Sequence, residues 1–239
     1  MKPTASKNTV LIASPGYGWK SDEFVMNLLS AAMPIHTPVF YSFPHGKKFG
    51  EGLPVAEARN ECVKFALEHN CKGIFFRDHD VLCPQEALGI LMARDADLVG
   101  GLYVSKQIPP WPLTMRDNQV VTDWTLGDVV ACDSIGMGCT YIKTDVFRKM
   151  EGPWFATISE GIKGTSFERK ASTEDVYFCE RARNELGIQP YIDTAVSCVH
   201  VDFDTGNRYY FDQQLGLPAW VDEAGTHVIQ PVPKEGEAK

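Results

Sequence analysis

The chain has 239 residues, enough for one domain with a full core, or one domain plus a small lobe. Hydrophobic residues make up 44% and charged residues 23%, which is ordinary globular composition and excludes a fibrous or disordered chain. A formal net charge of −8 argues against a broad electrostatic grip on nucleic acid, so that partner is weakly disfavoured.

Residues 1 to 7 are polar, and the first apolar run is too short for a leader or a span, so no transmembrane segment is expected. Residues 9 to 14 (TVLIAS) read as a buried strand ended by Pro15 and Gly16. Ser21 caps a helix expected over 22 to 32, and residues 34 to 53 form a loop holding one short strand at 39 to 42. Pro54 opens a helix that runs to about residue 69. Successive steps of about 100° place Val55, Ala58, Cys62, Phe65 and Ala66 on one arc, with Glu57, Glu61, Lys64 and Glu68 opposite. Arg59 falls on the apolar arc, where it must either lay its stem over apolar surface or meet an anion such as a diphosphate.

Residues 73 to 77 (GIFFR) give a second buried strand that stops at Asp78-His79-Asp80. A helix over 84 to 94 and a strand over 97 to 104 follow. This alternation predicts an α/β fold, a mostly parallel sheet flanked by helices. Ligands in such sheets sit beyond the carboxyl ends of the strands, which is where Asp78 and Asp80 fall.

After residue 104 the pattern becomes mixed. Short strands are expected over 111 to 116 and 120 to 124, then Gly136-Met137-Gly138, a strand over 139 to 143 and a Thr144-capped helix to 150. Residues 151 to 172 lack a period and read as a flexible lid or acceptor loop. Thr173 caps a helix over 174 to 186 that Gly187 stops, and strands over 190 to 193 and 196 to 201 lead to His200. The tail from 230 is expected to be flexible. Seven cysteines lie at 62, 71, 83, 132, 139, 179 and 198 with no C-x-x-C pair. They read as reduced thiols used as small core residues, which points to a cytoplasmic protein (the host's cytoplasm for a viral chain).

Several residues carry chemistry in one reading and only structure in another. Asp78 and Asp80, two apart past an apolar strand, converge on a hard divalent cation such as Mg²⁺ or Mn²⁺, or else form a solvated turn. His79 between them points elsewhere. His200 is a metal ligand or a satisfied strand-end histidine. Glu174 and Asp175 complement a helix dipole, or hold a general base beside a loop. Gly136 and Gly138 allow close approach of a ligand, or make a turn. Trp111 and Trp154 are candidate sugar-stacking platforms, or core.

In order and spacing these pieces resemble glycosyltransferases of the GT-A fold, particularly small stand-alone members often carried by phages. The features are the apolar strand and small-residue turn LIASPGYG, Ala58-Arg59-Asn60 in a helix, FFRDHDV, GMGCTYIKTDVF, STEDVYFCERA and CVHVD, spread over about residues 8 to 203. The resemblance implies a single GT-A domain over residues 1 to 229, with a nucleotide-binding half over about 8 to 104 and an acceptor-side half over 105 to 229. It implies a UDP- or GDP-sugar donor and a hydroxyl-bearing acceptor, with Mn²⁺ or Mg²⁺ at Asp80, His200 and Asp78. Donor contacts would come from Ser14, Arg59, Asp78, Asp80, Gly136 and Gly138, and Asp175 would be the base of an inverting transfer. A retaining enzyme and a non-catalytic nucleotide-sugar or glycan-binding module are the alternatives.

Overall fold

The computed structural model describes residues 8–16, 20–44, 52–159 and 172–229. The first stretch of chain forms β1 (Val10–Ala13), α1 (Asp22–Leu29), β2 (Val39–Ser42), α2 (Val55–Glu68), β3 (Gly73–Arg77), β4 (Val81–Leu82), α3 (Ala87–Ala93) and β5 (Leu98–Leu102). Five short strands follow, β6 (Thr114–Arg116), β7 (Gln119–Val120), β8 (Val129–Ala131), β9 (Ser134–Ile135) and β10 (Cys139–Lys143). Then come α4 (Thr144–Arg148), α5 (Glu174–Leu186), β11 (Tyr191–Ser197), β12 (Val199–Val201), β13 (Arg208–Asp212), β14 (Leu217–Val221) and β15 (His227–Ile229).

The central sheet has seven strands in the order β2-β1-β3-β10-β5-β11-β8. β2, β1, β3, β5 and β11 run parallel, while β10 and β8 run against them. This is the mostly parallel, helix-flanked, Rossmann-like α/β sheet expected from the sequence. β1, β3 and β5 occupy its interior because their side chains are buried on both faces, which a near-continuous apolar run tolerates. Residues beyond 104 complete the sheet, since β10 lies between β3 and β5, with Thr140 opposite both Phe76 and Gly100.

Alternate residues of the strands build two cores, as the two-residue period of a strand requires. Leu11, Ile74 and Phe76 pack with Cys62, Val63 and Ala66 of α2, Phe147 of α4 and Phe178 of α5. Val10, Ile12 and Phe75 pack on the other face with Phe24 and Leu28 of α1 and Leu88 and Leu91 of α3. On α2 the expected arc is present: Ala58, Arg59, Cys62 and Ala66 are buried while Glu57, Glu61, Lys64 and Glu68 are exposed.

Ser21 caps α1, its hydroxyl accepting from the Phe24 N–H at 3.1 Å, and Gly187 ends α5 in the left-handed region at φ 67°. Thr144 does not cap α4: its hydroxyl donates to the carbonyls of Cys71 and Lys72, tying α4 to the loop before β3. Near Cys198 the expected single strand over 196 to 201 divides. β11 stays in the central sheet, and β12 crosses to a second sheet ordered β15-β14-β13-β12-β4. The sequence pattern showed no strand in β13, β14 or β15, partly because Pro218, opposite Phe211 inside that sheet, breaks the strand signal. A third small sheet is ordered β7-β6-β9. Ile158 and Ser172 exchange backbone hydrogen bonds of 2.9 and 3.0 Å. The middle of the expected lid, 160 to 171, and the tail from 230 lie outside the described residues. Among the described residues no helix is long and apolar enough to cross a membrane.

Candidate functional site

The polar site lies along the carboxyl edge of the parallel strands. Ser14 follows β1, Asp78 to Asp80 follow β3, and Tyr103 to Lys106 follow β5. Gly136 and Gly138 precede the antiparallel β10 and so reach the same edge. The Asp78 N–H donates to the Gly138 carbonyl at 3.0 Å, which fixes the turn as it leaves β3. β12 pairs with β4 so that His200 stands opposite Val81, and the Val201 N–H donates to the Asp80 carbonyl at 2.8 Å. This register brings His200, more than a hundred residues downstream, to Asp80.

The imidazole geometry is informative. His200 Nδ1 lies 2.8 Å from the Val104 carbonyl oxygen, which can only accept, so Nδ1 carries the proton. Nε2 then faces Asp80 Oδ2 at 3.5 Å. A nitrogen lone pair and a carboxylate oxygen repel at that range, and the pair is favourable only with a proton or another cation between them. Anchoring one ring nitrogen on a carbonyl while the other faces a carboxylate is the orientation of metal-binding histidines. Lys106 Nζ also reaches Asp80 Oδ2, at 2.6 Å. Burial by itself would raise the Asp80 pKa, but His200 and Lys106 outweigh it and hold the carboxyl well below the usual range. Asp80 and His200 offer one oxygen and one nitrogen donor, the types that Mn²⁺ or Mg²⁺ accepts, and Asp78 stands two residues earlier on the same turn.

Asp78 is held from behind. Arg59 is 2% exposed; its Nη2 donates to Asp78 Oδ2 at 2.9 Å and its Nε to Glu174 Oε1 at 3.3 Å. Burial opposes the guanidinium charge, but Asp78 and Glu174 overcome it and keep the pKa above the ordinary value. The anions that Arg59 meets on its apolar arc are thus two carboxylates of the protein. Glu174 brings the start of α5 to the site, and burial raises its own carboxyl above the usual range despite Arg59. Asp175, next along that first turn, is half-buried; its Oδ1 accepts from the Thr173 hydroxyl and from the Val176 N–H.

Three buried polar atoms of this region, Ser14 Oγ, Arg59 Nη1 and Asp78 Oδ1, have no hydrogen-bond partner among the described residues. Buried polar atoms are rarely left so; Ser14 and Asp78 leave the neighbouring parallel strands β1 and β3 at the same edge, with Arg59 behind Asp78.

Sequence reasoning did not single out Tyr103, Lys106 or Lys20. Tyr103 is buried, accepts from the Gly138 N–H at 2.9 Å and meets His200 edge-on with centroids 5.4 Å apart. A Cβ on Gly136 would stand 2.2 Å from Tyr103 Oη, and one on Gly138 3.0 Å from it. The close approach these glycines permit is therefore that of the Tyr103 ring. Lys20 lies beside Gly16 and His79, where burial lowers its pKa against the pull of Asp78 and Asp80. His79 stacks on Phe203 at an interplanar angle of 20°. Tyr103 and Lys106 follow a strand whose carboxyl end was a predicted ligand edge, and that signal could have found both. Trp154 donates its indole N–H to the carbonyls of Phe147 and Met150 and packs on the core beside Phe147.

Fold and site together define a Rossmann-like α/β protein with an acidic, cation-lined site at the carboxyl edge of its parallel strands. No protein-family model and no curated protein matches the sequence. Among solved structures, A197 from STIV is similar over 97% of this chain and 100% of its own, with a TM-score of 0.55 and 14% identity, which shows a shared fold. Residues 1-349 of TarS from S. aureus, in complex with UDP-GlcNAc, cover 77% of this chain with a TM-score of 0.41 and 13% identity. A further structure of TarS 1-349 gives a TM-score of 0.40 and 12% identity. The chain spans 54% and 56% of those two TarS chains.

Proposed function

We propose that this protein is a glycosyltransferase that moves a sugar from a nucleoside-diphosphate donor, a UDP- or GDP-sugar, to an acceptor hydroxyl with inversion. The observation that carries this reading is the approach of an Nδ1-anchored His200 to Asp80 at the carboxyl edge of β3, two residues beyond an Asp78 whose Oδ1 is buried without a partner among the described residues. The binding of UDP-GlcNAc by TarS is in keeping with such a donor.

In this proposal Asp80 and His200 hold Mn²⁺ or Mg²⁺, with Asp78 beside them. A bound divalent cation neutralises the diphosphate and so stabilises it as a leaving group. Arg59 positions Asp78, and Lys20 and Lys106 supply further positive charge along the diphosphate path. Asp175 takes the acceptor hydroxyl proton as that oxygen bonds to the anomeric carbon and the bond from that carbon to the diphosphate oxygen breaks. A single displacement of this kind inverts the anomeric centre.

The test is turnover and nucleotide-sugar binding against Mn²⁺ concentration for wild type, Asp175→Asn and His200→Ala. Asp175→Asn should keep donor binding and lose a factor on the order of 10² to 10⁴ in rate, with no recovery in excess metal. His200→Ala should weaken metal-dependent binding and recover partly in excess Mn²⁺. Donor binding unchanged by complete chelation would overturn the metal role. Donor binding without any transfer or hydrolysis would favour the binding-module alternative, and a product of retained configuration would favour a retaining enzyme.

A further inference from the structure

Behind the polar site, three cysteines from separate stretches of chain meet in the core. Cys83 follows β4, Cys139 opens β10 and Cys198 lies between β11 and β12; all are buried, and their sulfurs lie within 4.8 Å of one another. A thiophilic metal bound at about 2.3 Å holds its sulfurs roughly 4 Å apart, so small rotations would close this set around one ion. Gly101 lets the β5 backbone pass close to the cluster; a Cβ there would come to 3.0 Å from the Cys139 sulfur and 2.8 Å from Val196.

The charge around the cluster is the second observation. Arg77, the last residue of β3, is 1% exposed, and its guanidinium lies between the rings of Phe24 and Phe75 at 5.8 and 6.0 Å. Asn27 Oδ1 accepts from Arg77 Nη2 and also from the Cys83 N–H, which sets the guanidinium beside Cys83. Among the described residues Arg77 Nε has no hydrogen-bond partner and no carboxylate pairs with this cation. A buried charge without a counter-ion is strongly unfavourable.

We propose that Cys83, Cys139 and Cys198 bind a soft divalent cation of the zinc class as thiolates, with Arg77 as the charge that balances the site. Two positive charges on the metal and one on Arg77 match three thiolates. Oxygen-seeking ions such as Mg²⁺ are excluded by the all-sulfur donor set. Each ligand sits on an element that positions the donor site: β4 precedes Cys83, Gly138 precedes Cys139, and His200 follows Cys198 by two residues. The metal would therefore act as a structural staple beneath that site. It is separate from any ion at Asp80, which would have no sulfur ligand.

The experiment uses the full untagged chain made in cells supplied with zinc or with cobalt, because a buried site must fill as the chain folds. Metal analysis should find a single ion per wild-type chain. The cobalt form should show the near-ultraviolet thiolate-to-cobalt charge-transfer band, and X-ray absorption should show three sulfur neighbours. Cys139→Ser and Cys198→Ser should lower the bound metal at least ten-fold and remove the band. Cys132→Ser, in the other core, should change neither, and Asp80→Ala should keep the band, which separates this site from the donor-site cation. Should the cysteine variants not fold, the wild-type absorption spectrum decides alone. Wild-type chain without bound metal, a metal lacking sulfur neighbours, or a band that survives in both cysteine variants would overturn the proposal.

Discussion

Arg59 offers a direct measure of how Asp78 is held. Its guanidinium is 2% exposed, and it pairs with two carboxylates whose side chains are 23% and 13% exposed, Asp78 and Glu174. Arg59→Met keeps the apolar stem on α2 but leaves both carboxylates uncompensated. Removing one partner of a buried pair costs about 3 to 5 kcal/mol, and the partial exposure of Asp78 argues for the lower end, about 3 kcal/mol. For a chain of this size each kcal/mol shifts the melting temperature by roughly 2 to 4 °C, so a fall of roughly 6 to 12 °C is expected. Glu174→Gln on the Arg59→Met background removes the more buried of the stranded charges and should return about 1 kcal/mol or more. The assay is urea unfolding of wild type, both single variants and the double variant, treated as a thermodynamic cycle. A loss under about 1 kcal/mol for Arg59→Met, with additive single variants, would refute the argument that this guanidinium neutralises the two carboxylates.

Three further outcomes follow from the geometry. Lys106→Met removes the ammonium that contacts Asp80 at 2.6 Å, so the donor-free chain should bind Mn²⁺ about two- to five-fold more tightly by calorimetry; weaker binding would count against competition at Asp80. Gly136→Ala places a Cβ 2.2 Å from Tyr103 Oη and should cost about 1 to 3 kcal/mol, part of it recovered with Tyr103→Phe; an unchanged melting temperature would mean the ring moves freely. Burial raises the Glu174 carboxyl in the folded state, so its contribution to stability is full below the unfolded value and is lost as pH rises through the folded one. Glu174→Gln should flatten that part of the melting-temperature profile, and an identical profile would refute the assignment.

The central sheet was legible because β1, β3 and β5 are apolar runs closed by small or acidic residues, and α2 shows its buried arc in its spacing. Asp78 and Asp80 could be read as a pair because they share one turn. Their partners could not, since the register of β12 on β4 and the entry of Glu174 beside Arg59 are long-range outcomes that no local period encodes. Arg59 shows the limit well. The arc left two outcomes open, a stem laid over apolar surface or contact with an anion, and burial with two protein carboxylates was the answer. The hairpins after His200 escaped notice because their strands are short and one carries Pro218.

The position of β10 bears on how the chain acquires its structure. β1, β2 and β3 pair with one another and can assemble from the first eighty residues, but β5 touches neither β1 nor β3 in the sheet. Its two neighbours are β10, completed at Lys143, and β11, completed at Ser197. During synthesis β5 must therefore wait for sequence made well after it, and its closure carries the loop entropy of distant contacts. A nascent chain ending near residue 104 would hold one three-stranded sheet and an orphan apolar strand, LVGGL, exposed to aggregation. The Gly138 carbonyl that secures the Asp78 turn arrives on the segment that leads into β10. Maturation of the acidic site and closure of the sheet are thus parts of one late folding event.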